Sequence, residues 1–304
     1  MIELRALTRR FGTALAVDGV TSTLGDRGVV GLLGPNGAGK TTTIRMLAGV
    51  LSATSGTVRV LGFDVSDRPL EVRARVGLLP EVPALAPVLT VGETLEFAAA
   101  LHGVPAPSRA GRVGAVMERI GLAGAERRLI GTLSRGYRQR VGMAQALMAD
   151  PAVLILDEPT AGLDPAQLVG FRQLVTALAA DRLVILSTHL LPEVAGLCDR
   201  VLLLHEGRLI GDGSVAALAA QAGCVSTVAL HLDDPTDRSA AMAAVPAVQR
   251  VTPIGAGRYR LIGEDALEAD LFRCCADAGW VVRRLAREEP TLEEVFLALV
   301  GGAP

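Results

Sequence analysis

Of the 30 Lys+Arg residues in the chain, only Lys40 is a lysine, and it lies within Gly34-Pro35-Asn36-Gly37-Ala38-Gly39-Lys40-Thr41. Asn36 is likewise the single asparagine, a bias expected of a GC-rich coding sequence that floods the chain with Ala, Gly and Arg. Against that bias the retained lysine needs a chemical reason. The octapeptide fits Gly-x-x-x-x-Gly-Lys-Thr, in which glycine N–H groups wrap phosphate oxygens and a compact ammonium on a flexible stem reaches the β- and γ-phosphates. The planar fork of arginine would not serve there.

A second set of reactive groups follows downstream. Val153-Leu154-Ile155-Leu156-Asp157-Glu158-Pro159 reads as a buried strand that ends at Leu156 and delivers two carboxylates. That spacing lets Asp157 hold a Mg²⁺ shell while Glu158, one residue further, points toward the γ-phosphate and orients an attacking water. Leu183-Val184-Ile185-Leu186-Ser187-Thr188-His189 repeats the pattern and brings His189 to the same sheet edge, since ligands of open α/β sheets sit beyond the carboxyl ends of strands. Ser134, ahead of Arg135–Leu147, stands where an N-cap belongs, so that helix offers free N–H groups and its positive dipole end to an anion. His102, His205 and His231 have no comparable setting and read as surface or capping residues.

The elements needed to hold these groups are present around them. Val29–Leu33 is an apolar run before the Gly-rich segment, and Thr41–Gly49 follows with helical spacing. A chain of 304 residues, 50% hydrophobic, can build one large domain or two ordinary ones. The net charge of −2 and the dispersed arginines do not favour nucleic acid as a partner. No apolar stretch approaches the ~18 residues that span a bilayer, and Glu3 and Arg5 interrupt any signal-peptide core. A soluble, cytoplasmic protein is expected. Cys198, Cys224, Cys274 and Cys275 lack metal spacing and read as reduced thiols.

Taken together, the motifs resemble those of the ATP-binding subunits of ABC transporters. Gly34–Thr41 resembles the Walker A loop, Leu133–Gln139 the signature, Val153–Glu158 the Walker B strand, Ala161-Gly162-Leu163-Asp164 the D-loop and His189 the switch histidine. The resemblance covers residues 1 to about 222. It implies a P-loop ATPase fold of α/β class with an N-terminal β-subdomain and a helical insertion at about 81–149. It also implies ATP and Mg²⁺ as ligands. By that resemblance ATP is held by Phe11 (adenine stacking), its neighbour Val17, the loop residues Gly34, Pro35, Asn36, Gly37, Ala38, Gly39, Lys40, Thr41 and Thr42, and Ser134 and Gly136. Thr41, Asp157 and Glu81 serve Mg²⁺, Asp164 marks the D-loop, and Glu158, His189 and Lys40 are the catalytic groups. The partners implied are a second ATPase copy, identical or related, and a membrane permease on a separate chain that holds the protein at the inner face of the cell membrane. A soluble ATPase of this type acting on ribosomes or DNA is the alternative. Those relatives carry two ATPase units, a long coiled coil or zinc cysteines, and this sequence has one unit, no heptads and no zinc spacing.

This chain departs from the family pattern at three positions. Arg135 and Tyr137 replace the usual Gly and Gln of the signature, and Glu81 in Leu78-Leu79-Pro80-Glu81 takes the place of the Q-loop glutamine. These variants look like those of bacterial and archaeal exporters for antibiotics and drugs, or of gliding-motility and copper-enzyme maturation systems. Residues 223–304 read as a separate unit: strand 225–232, helix 236–244, strands 248–253 and 258–262, helix 266–278, strand 281–286 and helix 292–300. That order suggests a small ferredoxin-like α+β domain.

Overall fold

The computed structural model describes residues 1–194, 196–263 and 267–301. These residues form two compact units, Met1–Val215 and Ala216–Pro304. In the first, β1 (Ile2–Phe11) and β2 (Ala14–Leu24) precede β3 (Gly28–Leu33) and α1 (Lys40–Leu47). Next come β4 (Ser55–Val60), β5 (Phe63–Asp64), α2 (Pro69–Arg73) and β6 (Val76–Leu79). A helical segment then carries α3 (Val91–Leu101), α4 (Ala106–Ile120) and α5 (Arg135–Leu147). The unit continues with β7 (Val153–Asp157), α6 (Pro165–Ala179), β8 (Leu183–Thr188), α7 (Leu191–Val194), β9 (Arg200–His205) and β10 (Arg208–Gly213).

Two sheets result. β2-β1-β4-β5 is antiparallel, and β10-β9-β3-β8-β7-β6 is parallel except for its antiparallel edge strand β10. Strands covered on both faces must be apolar throughout, and β7 and β8 are buried at every position. Parallel order has a direct consequence: β3, β7 and β8 all end at one edge, with Leu33 in register with Thr188 and Asp157 with Ser187. The reactive groups expected from sequence therefore converge by topology. β7 runs one residue further than expected, through Asp157, and Glu158 turns out of the strand with φ +47°.

Two helices of the inserted segment, α3 and α5, are started by a side chain. Thr90 and Glu93 form a reciprocal capping box on α3, and Ser134 accepts the Tyr137 N–H on α5. Gly121 ends α4 in a left-handed turn. α5 lies directly on β6, where a Cβ on Gly77 would collide with the Ala146 carbonyl oxygen. Among the described residues no helix is long and apolar enough to cross a membrane. The four cysteines are free, and burial together with the Asp199 carboxylate pushes the Cys198 thiol up to about 12.

α8 (Val215–Gln221) leads into the second unit. There β11 (Thr227–Leu232), α9 (Ser239–Ala243), β12 (Val248–Gly255), β13 (Arg258–Gly263), α10 (Leu267–Asp277), β14 (Val282–Glu288) and α11 (Leu292–Gly301) follow in turn. The sheet order is β12-β13-β11-β14, antiparallel throughout. Its own core gathers Val228, Leu230, Tyr259, Leu261, Met242 and Leu271. The buried Tyr259 hydroxyl is satisfied, donating to Thr236 O and accepting the Arg238 N–H. The expected helix start at Ala266 lies outside the described residues.

Candidate active site

The apolar strand β3 has to turn sharply into α1, and glycine makes this turn feasible. Gly34 sits at φ +154°, where a Cβ would strike the Leu204 carbonyl oxygen, and Gly39 at φ +99°, where it would lie 2.5 Å from Ala16 O. Only a residue without Cβ fits both constraints. α1 starts at Lys40, so its unpaired N–H groups point into the loop. The Lys40 ammonium, 6% exposed, donates to Gly34 O at 2.8 Å and Pro35 O at 3.1 Å.

The carboxylates arrive from β7, which is separated from β3 by β8 in the sheet. Asp157 Oδ1 accepts the Thr41 hydroxyl at 3.3 Å, joining β7 to the first turn of α1. Glu158 Oε1 lies 3.6 Å from Lys40 Nζ, and Glu158 Oε2 accepts from His189 Nδ1 at 2.9 Å. With the carboxylate as acceptor, the His189 tautomer that carries a proton on Nδ1 makes this contact. Ammonium, carboxylate and imidazole thus form a connected line at the sheet edge. Such a line can neutralise phosphate charge at one end and orient a nucleophile at the other.

These groups border a cleft of about 450 Å³, lined also by Phe11, Ala16, Asn36, Gly37, Gly39, Thr41, Thr42, Glu81 and Ala161. Gly34 and Pro35 reach the site through the carbonyls that hold Lys40, while Ala38 is buried beneath the loop. Phe11 stands 47% exposed, with the Arg9 guanidinium 4.5 Å from its ring centre. Val17 differs from expectation: it is fully buried in the core under Gly39, and Ala16 takes its place on the cleft wall. Ala16 and Ala161 were not legible in the sequence, because alanine carries no functional group to mark it. Ser134 and Gly136 do not line this cleft. Ser134 caps α5, and Gly136 borders a different depression beside Gln167. Asp164 caps α6 by accepting the Gln167 N–H at 2.8 Å. The Arg135 guanidinium lies against Gly162.

A glycine loop between a parallel strand and a helix, with a lysine at the loop's end and an acid at the end of another parallel strand of the same sheet, defines a P-loop nucleoside triphosphatase. Residues 17–161 match the family described as ABC transporter. The chain is 38% identical to "Nod factor export ATP-binding protein I" of Burkholderia lata over 236 residues, which is 77% of either chain. It is 32% identical to "Bacitracin transport ATP-binding protein BcrA" of Bacillus licheniformis over 99% of this chain and 98% of the relative. Among solved structures, "Structure of ATP binding subunit of ABC transporter" aligns with a TM-score of 0.67 and 29% identity, covering 73% of this chain and 93% of the other. The chain belongs to the ABC transporter family. It is a nucleotide-binding, ATP-hydrolysing enzyme with the ABC ATPase fold.

Proposed function

We propose that the chain is the ATPase subunit of an exporter. In this reading two copies, identical or related, close head to tail over two ATP molecules and drive a separate membrane permease from the cytoplasmic face. One observation carries the reading: Lys40, Glu158 and His189 meet across the cleft, while Ser134 and the dipole end of α5 do not line it. A second copy can supply that missing anion-binding end. The export assignment rests on relatives named for Nod factor export and bacitracin transport.

The Thr41 hydroxyl and Asp157 carboxylate, joined at 3.3 Å, form a hard-oxygen donor pair suited to Mg²⁺. Glu81, on the same cleft, is a third oxygen donor. When bound, Mg²⁺ neutralises phosphate charge. Lys40 and the loop amides bind the phosphates, Phe11 stacks on adenine, and Glu158 orients water while His189 holds its carboxylate. Residues 1–222 constitute the ATPase domain and 223–304 an accessory domain. The β-α-β-β-α-β connectivity of the latter, with sheet order β12-β13-β11-β14, supports a ferredoxin-like assignment.

Mixed dimers test the shared site. Lys40→Ala removes the ammonium, and Ser134→Arg blocks the signature, so each homodimer should be inactive. A mixed dimer gathers both lesions in one composite site and leaves the other intact, so ATPase activity should return. Verified mixed dimers that stay inactive, while wild-type/mutant dimers work, would refute sharing between subunits.

A further inference from the structure

Ser187 ends the apolar run of β8 in register with Asp157 and is fully buried. Its hydroxyl donates to Asp157 Oδ1 at 2.5 Å and lies 3.0 Å from the backbone nitrogen of Glu158, whose N–H it accepts. One oxygen therefore touches both acidic residues, the side chain of one and the main chain of the other. Asp157 Oδ1 receives the Thr41 hydroxyl as well, so hydroxyls from α1 and β8 meet on a single carboxylate oxygen.

Glu158 needs such a hold. Its φ of +47° is a left-handed conformation that a residue with a Cβ keeps only when its surroundings fix it. The Glu158 N–H also lies 3.2 Å from the Ser187 carbonyl oxygen, so residue 187 grips that amide twice. A buried serine must place its hydroxyl somewhere. Here the acceptor is a carboxylate oxygen of Asp157.

We infer that Ser187 is a positioning residue for ATP hydrolysis: it fixes the Asp157 carboxylate against Thr41 and anchors the strained Glu158 backbone whose side chain meets His189. The inference rests on the proposed roles of Asp157 and Glu158. Alanine at 187 preserves the shape, leaves the Glu158 N–H its bond to the residue 187 carbonyl, and frees the Asp157 carboxylate to rotate. The fold should survive while the aim of the carboxylates relaxes.

The test uses full-length Ser187→Ala and Ser187→Cys, measuring kcat, KM, and ATP affinity by titration in EDTA and in Mg²⁺. For Ser187→Ala, kcat should fall by roughly 10–100-fold, the range for a lost partner of a metal-site carboxylate, with KM within about two-fold. Affinity in EDTA should be unchanged, since Lys40 and its loop are untouched, and the gain in affinity on adding Mg²⁺ should shrink. Ser187→Cys, a weak donor of similar shape, should fall between. A parental kcat in Ser187→Ala overturns the inference. A loss of EDTA affinity as large as the loss of kcat also overturns it, because that marks a general packing defect. If the alanine variant does not fold, a cysteine variant with parental kcat and parental response to Mg²⁺ overturns it equally. Glu158→Gln, assayed in parallel, separates the two claims: parental hydrolysis there sinks the reading of Glu158, whereas an inactive Glu158→Gln beside a normal Ser187→Ala sinks only the inference about Ser187.

Discussion

Glu158 answers to three neighbours at once: Lys40 at 3.6 Å, His189 at 2.9 Å and the main chain of β8. Replacing it by glutamine keeps the shape and removes the charge. Glu158→Gln should therefore retain ATP binding and slow hydrolysis by roughly 10²–10⁴, the range for losing a positioned base. ATP titration together with single-turnover phosphate release checks both halves. Lys40, Asp157, Glu158 and His189 were legible because each is a reactive side chain that closes an apolar run or a glycine loop. Ser187 was not, since a hydroxyl beside the hydroxyl of Thr188 carries no sign of what it faces. Val17 misled for a related reason. The resemblance put it beside Phe11, but which face of β2 meets the loop depends on a register that shifts twice between Leu7 and Arg10.

At the scale of elements, α5 depends on a close approach that a single methyl would prevent. Gly77 in β6 faces the Ala146 carbonyl, with Pro151 Cγ 2.9 Å from the position of a Cβ. Gly77→Ala must push α5 off the sheet. Overpacking of this kind costs about 1–3 kcal/mol, a drop of several degrees in Tm for a unit of this size, readable by calorimetry. Displacement of α5 also moves Ser134, so cooperative ATPase activity should fall more than ATP binding. Elements marked by a cap or an apolar run were legible: α5 begins after Ser134, and β8 follows its apolar run. α9 was overextended. Periodicity suggested a start at Thr236, but Asp234 and Asp237 accept the N–H groups of Thr236 and Ser239 and turn the chain there, so the helix begins at Ser239. Side-chain competition for backbone donors is invisible to a count of apolar spacing.

At the scale of the whole molecule, every residue bordering the nucleotide cleft lies in Met1–Val215, and the second unit has a hydrophobic core of its own. Deleting residues 225–304 should therefore leave a folded protein that binds ATP with unchanged affinity. Circular dichroism and nucleotide titration on the truncated chain check this, and a folded fragment unable to bind ATP would overturn the domain proposal. The sequence places a break after residue 222, where the phosphate motifs have stopped at His189 and a new alternation of strands and helices is expected from residue 225, whereas the two compact units divide at Val215. The pairing of β12 with β13 and of β11 with β14 was not legible, because strand partners are chosen by packing across the sheet rather than by order along the chain.

The central strand β3 carries a consequence for the birth of the chain. Its two neighbours, β8 and β9, begin about 150 residues after it ends. At roughly 5–20 residues per second, Gly28–Leu33 waits ~10–30 s after synthesis with both edges unpaired. An apolar strand with open N–H and C=O groups on each side is a template for pairing with other chains. The segment that leads into the phosphate loop is thus among those most in need of chaperone shelter during translation. Any nonsense or stalling event before Thr188 leaves it open, a liability of biosynthesis rather than of catalysis.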